Sequence, residues 1–139
     1  MCEYIMGMIG QTNPGRNNGE TPLHIAARKG HFDICKFIID NVQEKNPSMK
    51  NGRTPLHMAA KRGHFDICSY IIERVVEKNP GMKDGTTPLH ESAFHGYLDV
   101  CKYIVDKTGD KQPRDNNGMT PLDFAQQRNH HQIVTYLSQ

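Results

Sequence analysis

Between residues 34 and 42 the apolar positions fall at Ile34, Ile38 and Val42, with Cys35 and Ile39 beside them. Such spacing lays these side chains along one stripe of an α-helix and leaves the opposite face polar. A shorter helix is predicted just before it. The Thr21 hydroxyl suits an N-cap, and Pro22 suits the first helical position because the N–H it lacks would find no partner there. Gly30 ends that helix, where a left-handed residue costs least, and Gly63 and Gly96 repeat the signal. Asp33, Asp66 and Asp99 fall in the first turn of the longer helix, where a carboxylate meets the positive end of the dipole. Pro47 and Pro80 stop it, and Asn51-Gly52 and Asp84-Gly85 read as tight turns. The pattern predicts an all-α chain of helix pairs separated by turns.

The pairs are copies of one another. TPLHIAARKGHFDIC at 21–35 returns as TPLHMAAKRGHFDIC at 54–68 and, more loosely, as TPLHESAFHGYLDVC at 87–101. Thr21, Thr54, Thr87 and Thr120 are each 33 residues apart, so the register never slips. The opening residues join the pattern, Cys2 aligning with Cys35 and Pro14 with Pro47. The chain is therefore read as a single domain over 1–139. It comprises the second half of a truncated repeat at 1–15, full repeats at 16–48, 49–81 and 82–114, and a C-terminal capping repeat at 115–139. The last repeat carries Asp123 in place of the usual His and Gln126 in place of the second Ala, polar changes that suit an outward-facing end.

A 33-residue period carrying Thr-Pro-Leu-His, then Ala-Ala, then Gly-His resembles the ankyrin repeat over essentially the whole chain. The resemblance implies a curved solenoid of stacked antiparallel helix pairs. It implies that His24, His57 and His90 tie neighbouring turns by hydrogen bonds. It also implies that turn tips and first helices line a concave face that grips partners, with the second helices forming the back. One departure concerns Val42 and Val75, which stand where the family usually has a glycine to close the second helix. Without that cap the second helix is expected to run about a turn longer in the first two full repeats, and to stop sooner in the third, near Gly109. Asn46 and Asn79 occupy the loop position that the family can hydroxylate, but the acidic-aliphatic pair before it is missing, so no modification is expected there.

Candidate chemistry is absorbed by the repeat. Cys2, Cys35, Cys68 and Cys101 share one position on the second helix. Stacked helices lie about 8–10 Å apart, beyond the Cα separation of about 7 Å that a disulfide spans. Ligands strung along a ridge also do not close on one zinc ion. The cysteines are expected to be reduced, half-buried apolar residues. Of the eight histidines, His24, His57 and His90 belong to the Thr-Pro-Leu-His element, and His31, His64 and His130 follow the inter-helix turn. Only His95 and His131 are left. Every Cys–His or Ser–His pairing recurs with the repeat, whereas an active site is built once. No phosphate-cradling glycine loop stands out. The reading is a non-enzyme with no cofactor and no metal.

Composition narrows the class. With 36% hydrophobic and 23% charged residues the chain reads as folded and soluble, and a net charge of +2 does not by itself imply nucleic acid or membrane. No apolar run approaches the ~18 residues that span a bilayer. The N-terminus carries Glu3 and no basic leader, so a cytoplasmic or nuclear location is expected, in keeping with reduced cysteines.

Function is expected where the copies differ. The pair before the glycine that ends the first helix changes from Arg28-Lys29 to Lys61-Arg62 to Phe94-His95, with Gln127-Arg128 in the same place before Asn129, and the residues flanking the turn glycines change too. Laid along the concave face, Arg28, Lys29, Lys50, Arg53, Lys61, Arg62 and Lys83 form a basic strip opposed by Glu20 and Asp84, while Phe94, His95 and Met119 form a more apolar patch. The expected partner is a protein or peptide, acidic and extended, anchored by one or two apolar side chains. The alternative is a structural spacer within a longer array, binding nothing itself. Nucleic acid is disfavoured because no aromatics are interleaved with the cations. The chain is expected to be a monomer or to associate weakly end to end through the uncovered N-terminal stripe of Tyr4, Ile5, Met8 and Ile9.

Overall fold

The computed structural model describes residues 18–139, which hold eight helices and no strand. The helices come in pairs: α1 (Pro22–Lys29) with α2 (Phe32–Asn41), α3 (Pro55–Arg62) with α4 (Phe65–Ile72), α5 (Pro88–His95) with α6 (Leu98–Thr108), and α7 (Pro121–Gln127) with α8 (His131–Ser138). First helices α1, α3, α5 and α7 stack as one row and second helices as another, with neighbouring first helices packed more closely. A single core runs between the rows through Leu23, Ile39, Leu56, Ile71, Leu89 and Ile104. The expected reach of the chain before residue 18, including the truncated repeat, Cys2 and the N-terminal stripe, lies outside the described residues.

Each first helix opens on the same capping box. The Thr21, Thr54 and Thr87 hydroxyls accept from the backbone N–H three residues on, and the imidazole Nδ1 of His24, His57 and His90 accepts from the threonine N–H. An Nδ1 that accepts leaves the proton on Nε2, which donates to the next repeat: His24 to Arg53 O at 3.0 Å, His57 to Thr86 O at 2.9 Å and His90 to Met119 O at 2.8 Å. This is the tie the resemblance implies. All three rings are fully buried, and burial lowers their pKa, that of His57 to about 4. In the last repeat Asp123 closes the box from Thr120 N at 2.9 Å with a side chain too short to reach further.

The expected turn glycines adopt the left-handed conformation, and at Gly30 (φ +80°) the ring of His64 lies where a Cβ would be, only 2.6 Å away. The His64 ring continues to Arg28 O at 3.2 Å, and His130 reaches Phe94 O at 2.9 Å in the same way. Phe32 meets Tyr70 edge-on, and Phe65 meets Tyr103, joining second helices of adjacent repeats.

Two expectations about the second helix are corrected. Helices α2 and α4 are not the longer ones: they span 10 and 8 residues, against 11 for α6, which ends on left-handed Gly109. A lysine replaces the missing glycine cap. Lys45 Nζ donates to Ile39 O at 2.6 Å and Val42 O at 2.8 Å, and Lys78 Nζ donates to Ile72 O and Val75 O. An ammonium satisfies terminal carbonyls and suits the negative end of the dipole, so the chain leaves the helix without a further turn. The next residue explains why it must leave there. Asn46 Oδ1 accepts from Leu56 N at 3.0 Å and Asn79 Oδ1 from Leu89 N at 3.1 Å, closing the start of the following helix. The cysteines are also not half-buried: Cys35, Cys68 and Cys101 are free and buried outright. Their position faces the first helix, as the 3.2 Å contact from Ser92 Oγ to Cys101 Sγ shows, and burial pushes the Cys35 and Cys101 thiols up to about 12.

Candidate functional site

The turn tips form the edge of the site. Gly52 N donates to Met49 O and Gly85 N to Met82 O, making tight turns that need the positive φ of the glycine. Successive tips are laced together, Lys50 N to Asn18 O at 2.8 Å, Lys83 N to Asn51 O at 2.9 Å and Asn116 N to Asp84 O at 2.9 Å. Lys50 and Lys83 therefore have fixed backbones and exposed side chains, one per tip. Met119 is half-buried, with its carbonyl engaged by His90 and its N–H by Asp115.

The basic residues divide into two kinds. Arg28 Nη1 lies 2.8 Å from Glu20 Oε2, and Arg53 Nη1 lies 2.8 Å from Glu91 Oε2, where both carboxylates are largely buried. These arginines hold the scaffold as well as facing the groove. Lys29, Lys61 and Arg62 make no ion pair among the described residues, and Lys29 and Arg62 are exposed. Arg28, Arg53, Lys61 and Arg62 converge on a recess of about 210 Å³ that Met58 also lines. The structure thus brings four of the expected cations to one recess, while Lys29, Lys50 and Lys83 are exposed outside its lining.

The apolar end is more built than the sequence suggests. Phe94 packs edge-on against Phe124 at 5.9 Å and against His95 at 4.9 Å, and the Arg128 guanidinium sits 4.8 Å over the Phe94 ring. His95 lies between the two ends. Its pKa is lowered, chiefly by burial, with Lys61, Arg128 and Arg62 adding repulsion and Glu91 opposing them. A neutral ring at this junction can donate or accept one hydrogen bond, and nearby anionic charge would favour its protonation.

Three residues here were not singled out from the sequence, Met58, Glu91 and Phe124, whereas Arg128 belongs to the variable Gln127-Arg128 pair already named. These three share one repeat column with Ile25, so that Ile25, Met58, Glu91 and Phe124 differ in every copy. That column carries the same signal of variation as the pair before the glycine. Glu91 also corrects the electrostatics, because it neutralises Arg53 and shortens the uncompensated part of the strip.

No group of three or more potential metal ligands converges among the described residues, and none of their helices is long and apolar enough to cross a membrane. A family model of ankyrin repeats, three copies long, matches residues 1–81 and 73–139. No curated protein matches the chain. The period, the capping boxes, the inter-repeat histidine ties and the family match agree: the chain belongs to the ankyrin repeat family.

Proposed function

We propose that this chain is a non-catalytic interaction module that holds an acidic, extended segment of a partner protein along the face made by its first helices and turn tips. Ankyrin repeats generally act as protein-interaction modules, which supports the coarse reading. The closer packing of first helices than of second helices favours a stack curved toward that face. The observation that carries the finer reading is the division of the face into a cationic recess at Arg28, Arg53, Lys61 and Arg62 and an aromatic platform at Phe94 and Phe124. Lys29, Lys50 and Lys83 extend the cationic half, and His95 and Met119 flank the aromatic half. Charge steers the partner and sets its register, while one buried apolar anchor supplies more affinity than several rim charges.

The test reverses the uncompensated cations and leaves Arg28 and Arg53 alone, because a new carboxylate beside Glu20 or Glu91 would unfold the scaffold for a separate reason. The immobilised Lys29→Glu/Lys61→Glu/Arg62→Glu protein is compared with the unaltered chain in capture from cell lysate at low and at physiological salt. Proteins with acid-rich segments, held by the unaltered chain and lost by the variant while circular dichroism is unchanged, are the expected result. Equal capture by both would remove the basic strip from the account. No capture by either would favour the spacer reading.

A further inference from the structure

The recess bounded by Arg28, Arg53, Lys61 and Arg62 has a chemistry of its own. It draws on the C-terminal ends of α1 and α3 and the turn between α2 and α3, so its cations come from three parts of the chain. Two of the four are already committed to carboxylates: Arg28 to Glu20 and Arg53 to Glu91. Lys61 and Arg62 are left with no ion-pair partner among the described residues. Two uncompensated cations match the charge of a phosphate monoester, about −1.5 to −2 at neutral pH, better than the single charge of an aspartate or glutamate. The size agrees. A recess of about 210 Å³ admits a group several times larger than one water, whose share of the liquid is about 30 Å³. The floor is Met58, 7% exposed, so the anion would sit on an apolar base, where charge pairing is screened less than at the surface.

We propose that this recess takes the phosphate of a phosphorylated serine or threonine in the partner segment, with an apolar side chain of the same segment on the Phe94–Phe124 platform. The inference rests on the reading of the groove as a protein-binding face and names the chemistry it selects. The two subsites are continuous through His95, which feels Lys61 and Arg62 on one side and meets the Phe94 ring at 4.9 Å on the other. Phosphate contacts of this kind are short, charge-assisted and shared between donors, which is where Arg excels. A nucleic-acid backbone would need the cationic sites to continue along the whole groove. Past His95 the next surface is aromatic, so a single phosphate beside an apolar anchor fits the layout better.

The test uses three immobilised degenerate peptide pools that differ only at a fixed central residue: phosphothreonine, threonine or glutamate. The chain should be retained on the phosphothreonine pool about tenfold more tightly than on the glutamate pool, a difference of about 1.4 kcal/mol. Sequencing of the immobilised peptides that hold the chain should show a large apolar residue selected near the phosphate. Lys61→Gln/Arg62→Gln, which touches no ion pair of the scaffold, should lose the phosphate preference, and Phe94→Ala should lose the apolar selection while keeping it. Equal retention on the glutamate and phosphothreonine pools overturns the phosphate claim and leaves the acidic groove standing. No retention on either acidic pool overturns both. Unchanged preference in Lys61→Gln/Arg62→Gln also overturns the assignment. So does retention of anionic lipid vesicles or single-stranded RNA in preference to every peptide pool.

Discussion

Acid should loosen this protein well before its carboxylates titrate. His57 is fully buried, accepts at Nδ1 from Thr54 N at 3.2 Å and donates from Nε2 to Thr86 O. A second proton on Nδ1 would face a donor and break the capping box. Burial is the largest cause of the fall in its pKa from 6.5 to about 4; the hydrogen bond to Thr86 O opposes it, and repulsion from Arg53 adds a smaller push in the same direction as burial. In the unfolded chain the ring returns to its ordinary value. Above 6.5 both states carry a neutral ring and the linkage is silent. As pH falls through 6.5 the unfolded chain takes up a proton that the folded chain refuses, so stability is lost progressively until pH reaches the folded value. A fall from 6.5 to about 4 puts the full loss on the order of 3 kcal/mol, with roughly 1 kcal/mol already gone near pH 5.5. His24 and His90 are displaced in the same direction and steepen the fall. Asp84, Asp40 and Glu73 are held below their ordinary values, chiefly by the Thr86 N–H, the Tyr70 hydroxyl and the Tyr103 hydroxyl, so their contribution disappears only in a lower, separate window. Urea unfolding followed at several pH values should show the midpoint dropping between pH 6.5 and 4. Imidazole proton NMR should show His57 still neutral at pH 5.5. A midpoint that is flat across that interval, or a His57 resonance titrating near 6.5, would refute the reasoning.

Other perturbations test the remaining joints of the scaffold. Lys78→Met should cost about 1–2 kcal/mol in urea unfolding, because it removes the ammonium from the Ile72 and Val75 carbonyls; no loss would mean water caps that helix end equally well. Gly30→Ala and Gly109→Ala share a positive φ, but only the first drives a Cβ into the His64 ring. Thermal denaturation should therefore rank Gly30→Ala well below Gly109→Ala, whose cost is about 1 kcal/mol; equal costs would deny the contact. Arg53→Ala strands the Glu91 carboxylate and should cost about 1–3 kcal/mol, whereas Lys61→Ala should stay within about 0.5 kcal/mol. Similar losses in the two variants would mean that the Arg53–Glu91 pair adds nothing to the scaffold.

Most of the scaffold was legible because ankyrin repeats write each structural requirement several times. Thr21, Gly30 and His24 each recur at fixed spacing, and the structure gives the first three copies the same Thr–His capping box and a left-handed glycine at the helix end. What a period of 33 hides is any contact that crosses columns. Arg53 belongs to the turn-tip column and Glu91 to the helix column that holds Met58 in the repeat before, so no single copy displays the pair. Lys45 and Lys78 carried no signal in the sequence, because a lysine that folds back onto carbonyls has no mark distinguishing it from one that does not. Phe124 was passed over because it sits in the most divergent repeat, yet its ring completes the platform under Phe94.

The central claim is that partners are held on the face of first helices and turn tips. It is tested most directly by amide chemical-shift mapping of the isotope-labelled chain against the most strongly retained protein from the lysate capture. The account predicts shifts concentrated at Arg28, Lys29, Lys61, Arg62, Phe94 and His95 and at the Lys50 and Lys83 tips, with helices α2, α4 and α6 unmoved. Shifts confined to those second helices, or to the loops at Lys45 and Lys78, would contradict it.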